Sequence, residues 1–137
     1  MTRGSPDYQP WNAVQRFSGT GGATPFEQKI TVPANTLVGA PVSQDIILVK
    51  GFVSAVSIKF PSGSAGLLHT SIWNGASKLW PGNVNQYFTG DNEVVQFNTE
   101  YDVPVPAGIY KLTIQGWNED DAYPHSALVR VWVVQLP

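Results

Sequence analysis

The side chains best suited to chemistry in this 137-residue chain are two histidines, clustered loop carboxylates and five tryptophans; cysteine is absent. That absence removes thiolate nucleophiles, disulfides and cysteine zinc sites together. His69 sits in Leu67-Leu68-His69-Thr70-Ser71, on the strand face opposite Leu68, Thr70 and Ile72, with no nucleophile or orienting carboxylate at a recognisable spacing. His125 follows Tyr123-Pro124 and reads as a loop residue ahead of the last strand. The expectation is therefore a non-enzymatic protein with no catalytic residues and no cofactor. The loops Asn118-Glu119-Asp120-Asp121 and Gly90-Asp91-Asn92-Glu93 supply hard oxygens. Asp91, Glu93, Glu119, Asp120 and Asp121 would suit calcium only if the fold joins the two loops, and neither has EF-hand spacing. Solvated loop acids are the plainer reading. A glycosidase pair of Asp91 or Glu93 with Glu119 would need a set carboxyl separation that spacing does not supply. Gly19-Thr20-Gly21-Gly22 has no following Lys-Ser/Thr, so it reads as a hinge and not as a phosphate loop.

The tryptophans carry more information. Trp73 and Trp80 flank Asn74-Gly75, Trp117 adjoins the acidic loop, and Trp11 and Trp132 lie towards the two chain ends. Such rings either fill a core and subunit contacts or stack on sugar rings. Trp73, Trp80 and Trp117 are the candidates for glycan stacking, and Trp132 for a partner contact.

These residues must be positioned by strands. From Pro25 onward the apolar pattern has period two, clearest where Phe52, Val56, Ile58 and Phe60 share a face and Pro61-Ser62-Gly63-Ser64 ends the run. Strands are expected at Phe26–Val32, Ser43–Val49, Phe52–Phe60, Leu67–Trp73, Ala76–Trp80, Glu93–Asn98, Ile109–Trp117 and Ala127–Leu136. Asn74-Gly75 reads as a two-residue hairpin loop with positive φ at both positions. No segment beyond Pro25 sustains a helical period. Eight short strands without crossover helices predict an all-β antiparallel sandwich, with the eight-stranded jelly roll ahead of an immunoglobulin-like topology. Leu128–Val134 is apolar on both faces except at Arg130, which places it mid-sheet with both faces covered, or at a subunit contact.

Residues 1–25 differ from the rest. Pro6, Pro10 and Pro25 with Gly4, Gly19, Gly21 and Gly22 punctuate a segment whose apolar residues Tyr8, Trp11, Val14 and Phe17 recur every three positions. A helical turn fits that interval, but the absence of a cap and the flanking Pro and Gly favour an extended arm. The chain divides into an arm, 1–25, and a sandwich, 26–137. Tyr8, Trp11 and Phe17 carry apolar area that needs a partner. No signal peptide is expected behind Arg3, and no apolar run reaches membrane-helix length. Net charge is −2 and only 13% of residues are charged, with the basic ones scattered, so no nucleic-acid footprint is present.

The segments Ile30–Thr36, Ile58–Leu67, Phe88–Val94 and Tyr123–Val133 resemble those of small virion proteins of tailed bacteriophages. The resemblance runs from about residue 28 to the C-terminus and leaves the arm uncovered. It implies a jelly-roll capsid auxiliary protein of the decoration type, a homotrimer that binds the major capsid protein on the outer shell and is assembled in the host cytoplasm. The competing expectation is a lectin-like or receptor-binding spike module using the exposed tryptophans.

Overall fold

The computed structural model describes residues 22–103 and 110–135, so the arm anchors Tyr8, Trp11 and Phe17 lie outside the described residues. Eight strands follow in chain order: β1 (Ala23–Val32), β2 (Val42–Ile47), β3 (Gly51–Phe60), β4 (Leu68–Asn74), β5 (Ser77–Trp80), β6 (Glu93–Asp102), β7 (Lys111–Asn118) and β8 (His125–Gln135). They form two four-stranded antiparallel sheets, ordered β1-β8-β3-β6 and β2-β7-β4-β5. The pairing is nested, β1 with β8, β2 with β7, β3 with β6 and β4 with β5. Alternate pairs fall in opposite sheets, and β3–β8 and β4–β7 contacts complete each one. A long folded-back ribbon rolled in this way is the jelly roll. The expected eight-stranded sandwich is therefore the fold.

Alternation sets which side chains meet. Val56 and Ile58 of β3, Ile72 of β4, Leu112 and Ile114 of β7, and Val129, Val131 and Val133 of β8 all point between the sheets at 0% exposure. β-branched side chains dominate because they pack well on a pleated surface. β8 lies between β1 and β3, as its two-sided apolar pattern predicts. Its inner row is sealed, and its outer row of Leu128, Arg130, Trp132 and Val134 is half-buried. Gly51 is needed where β3 crosses β8, since a Cβ there would stand 2.2 Å from the Val134 carbonyl oxygen.

Boundaries differ from expectation by one to four residues, His125 for instance opening β8 and not preceding it as a loop residue, and three of the differences are informative. β1 begins at Ala23 and includes Pro25, which an edge strand tolerates because no second neighbour needs its missing N–H. β6 continues to Asp102, past a register irregularity opposite Val53–Ala55; the acids Glu100 and Asp102 weaken the strand signal there. The β4–β5 hairpin pairs Asn74 with Ser77, so the turn is Gly75-Ala76 and not Asn74-Gly75. Gly75 has φ 59° and Ala76 is not among the positive-φ residues, the pattern of a turn with glycine first.

Candidate functional site

The outer face of β2-β7-β4-β5 gathers aromatic and polar side chains. Cross-strand pairing puts His69 of β4 opposite Trp117 of β7. Their rings stack at 3.8 Å and 6°, and Tyr87 from the β5–β6 loop stands edge-on to both, at 6.1 Å from His69 and 5.5 Å from Trp117. Glu119, one residue past β7, brings Oε1 to 3.0 Å from His69 Nε2. Lys78 of β5 places Nζ 4.6 Å from the Tyr87 ring centre and donates to the Asn83 and Gln86 carbonyls, tying the β5–β6 loop to this face. Partial desolvation lowers the pKa of that ammonium. Trp73 lies on the same face, four positions along β4 from His69 and so roughly 13 Å away, with its Nε1 donating to Ser71 Oγ at 2.8 Å.

Beside this cluster opens a groove of about 570 Å³, lined by the β1–β2 loop from Asn35 to Ala40 and by Trp117, Asn118 and Glu119. Leu37 and Val38 on its rim are 72% and 51% exposed. Asn118 organises its floor. The side chain is buried and donates from Nδ2 to the carbonyls of Val32, Pro33 and Tyr123, while Oδ1 accepts from Asp120 N–H. Asp120 accepts from the N–H groups of Ala122 and Tyr123 and meets His125 Nε2 at 2.8 Å. These bonds, the Ala122 amide first, hold the Asp120 carboxyl below its ordinary pKa. The β1–β2 and β7–β8 loops are thus tied at one end of the sandwich by backbone-directed polar groups.

Trp80 does not belong with Trp73 and Trp117. It pairs with inward-facing Ile72, and its ring packs between the sheets edge-on to Phe97 at 5.6 Å and Tyr101 at 5.5 Å. The irregularity in β5, which passes over Leu79 between the Trp73–Lys78 and Ile72–Trp80 pairs, turns it inward. Trp132 is on the other outer face, half-buried, with the Arg130 guanidinium 5.7 Å from its ring centre and Glu27 paired to Arg130. The five loop acids do not form a metal cluster, since no group of three or more His, Asp or Glu gathers among the described residues. Asp91 Oδ1 instead accepts from Gly63 N–H at 2.7 Å and Glu93 Oε1 from Asp91 N–H at 3.1 Å. Spacing missed both histidine–carboxylate pairs: His69 and Glu119 are 50 positions apart in sequence and meet only through the β4–β7 register. Neither pair has a serine or threonine hydroxyl bonded to it among the described residues.

What these surfaces define is a jelly-roll sandwich that presents faces, loops and strand edges. Solved structures with the same fold include a chain of the cyanophage Pam1 capsid asymmetric unit, at TM-score 0.53 and 14% identity, covering 93% of this chain and 100% of that one. A looser likeness is to FLHE, at TM-score 0.48 and 12% identity over 82% of this chain and 97% of that one. No protein-family model and no curated protein sequence matches the chain. At these identities the likeness is one of fold.

Proposed function

We propose that this is a virion structural protein of a tailed phage, an auxiliary protein that binds and stabilises the outer capsid shell and does so without catalysis. The observation that carries this reading is the fold likeness, over 93% of this chain, to a chain of the cyanophage Pam1 capsid, a likeness of architecture and not of one motif. The surfaces suit the role: a rigid sandwich, few charged residues, an aromatic arm, and apolar rims at Leu37 and Val38 for a protein neighbour. The arm, through Tyr8, Trp11 and Phe17, and the outer face at Trp132 are the proposed contacts, with a homotrimer the favoured assembly.

Heads of the encoding phage stripped of this protein should recover it by cosedimentation. A chain lacking residues 1–21, which keeps β1 whole, should fold and fail to bind; failure of the full chain to bind heads would overturn the capsid role. Light scattering should return three times 14.9 kDa, unchanged by EDTA.

A glycan-binding role is favoured by one observation, the placement of Trp73 and Trp117 on a single outer face with Ser71 between their strand positions. Oligosaccharide titration that quenches tryptophan fluorescence, lost in Trp73→Ala, would support it.

A further inference from the structure

The four sheet edges are not equivalent. β1 carries Pro25 and Lys29, β2 has six residues, and β5 has four and runs into Pro81. Short length, proline and lysine are the ordinary means of blunting an edge. β6 has none of these: it is ten residues long, contains no Pro, Lys or Arg, carries its acids and its register irregularity towards its ends, and closes the order β1-β8-β3-β6, so no strand among the described residues pairs with its outer side. From Glu93 to Asn98 its register with β3 is uninterrupted.

The core is also left open along this edge. Val95, Phe97 and Tyr101 point inward from β6, yet remain only half-buried, as do Trp80 and Phe88 across the seam. The corresponding inward rows of β3 and β8, Val56 and Ile58 and Val129 to Val133, are at 0% exposure. A strand added beside β6 would satisfy its free backbone groups and cover this aromatic seam.

The chain contains a segment of matching chemistry. Trp11-Asn12-Ala13-Val14-Gln15-Arg16-Phe17-Ser18 has no Pro or Gly, and extended it would put Trp11, Ala13, Gln15 and Phe17 on one face. Its only charge is Arg16, whereas β6 carries Glu93, Glu100 and Asp102. Two copies of β6 paired together would instead bring acids to acids. Geometry decides whose arm it is. From β1 to a slot beyond β6 is four strand spacings, about 19 Å, whereas the five steps from Ser18 to Ala23 reach about 17 Å at full stretch before any detour over the sheet face.

We infer that Trp11–Ser18 of one copy adds as a strand to the free edge of β6 in a second copy, with Trp11 and Phe17 covering the seam at Phe97 and Tyr101. This rests on the reading of the arm as an assembly element and names its receptor. Passed from copy to copy, such a head-to-tail contact closes a ring wherever its rotation closes, and a three-fold rotation would give the proposed homotrimer.

The absence of cysteine makes the test direct. Full-length Val14→Cys and Asn98→Cys proteins, which keep the anchors Trp11 and Phe17 and place both thiols on the outer face, are each shown folded by near-UV circular dichroism, then mixed and oxidised. The mixed disulfide should exceed either like-with-like product at least about tenfold, since a bridge needs Cα atoms within roughly 7 Å. Predominance of the Asn98→Cys self-linked product, no mixed product, or a monomeric intramolecular bridge in the Val14→Cys/Asn98→Cys double variant would each overturn the exchange. Cosedimentation with phage heads is measured separately on the unmodified protein, so heads bound without an arm-to-edge bridge would sink this inference and leave the capsid reading standing.

Discussion

The end of the sandwich around Asn118 and the seam between β5 and β6 solve opposite problems. At the first, the β1–β2 and β7–β8 loops, which would otherwise leave carbonyls and amides without partners, converge on one buried amide, and the Asn118 side chain serves three carbonyls and one N–H. Backbone bonds follow the same lines, from Asn118 N–H to the Thr36 carbonyl, Asn35 N–H to Asp120, and Glu119 N–H to Leu67. The seam also gathers large side chains, but Trp80, Phe88, Phe97 and Tyr101 touch one another edge-on or offset and keep part of their area in solvent. Polar closure completes a monomer, whereas an apolar row left half-covered beside an open strand edge is complete only with something added.

Removing Asn118 should therefore cost most. Asn118→Ala leaves several buried carbonyls without a donor, and the loss should be about 2–4 kcal/mol, read as a lowered midpoint in urea with little change in slope. Phe97→Ala should cost less, about 1–2 kcal/mol, because a half-buried ring gives up less than the large-to-small penalty of a sealed site. Its sharper effect should be on assembly, a shift to lower mass in light scattering that Asn118→Ala does not show while it remains folded. Equal destabilisation by the two, with mass unchanged in both, would break the contrast.

This contrast was unevenly visible in the residue pattern. Period-two alternation located all eight strands, most plainly where an inward row such as Val129-Val131-Val133 is both apolar and β-branched. The nested pair order is a long-range property that no segment states. Trp73 and Trp117 could be put on outer faces from alternation alone, but Trp80 could not, since the extra residue in β5 reverses its facing. Asn118 lay in a run that reads as a loop, and only the approach of Val32, Pro33 and Tyr123 shows it as a buried tie. Open edges are likewise invisible locally, because whether β6 has one neighbour or two depends on the roll of the entire ribbon.

The tied end should also be the acid-sensitive one. Asp120 is held below its ordinary pKa by the Ala122 and Tyr123 amides and by His125, so its contribution is fully present above the ordinary carboxylate value and is lost as pH falls through the lower folded value. Thermal midpoints measured from neutral pH downward should decline in that acid window. Asp120→Asn should begin lower at neutral pH and show a flatter decline over the same window. A parallel fall in both proteins would assign the acid sensitivity elsewhere.

The smallest effect expected is at Lys111 and Asp45 on the outer face of β7 and β2. Their Nζ–Oδ2 distance is 3.2 Å, with both side chains close to half exposed. Asp45 keeps a second partner in Thr113 Oγ1 at 2.9 Å, so losing the lysine does not strand the carboxylate. Lys111→Ala should change stability by at most about 0.5 kcal/mol, and less at high salt. A larger effect, or any loss of assembly mass, would mean that this face is itself in contact with a neighbour, and the distinction between a completed end and an open seam would have to extend to a second surface.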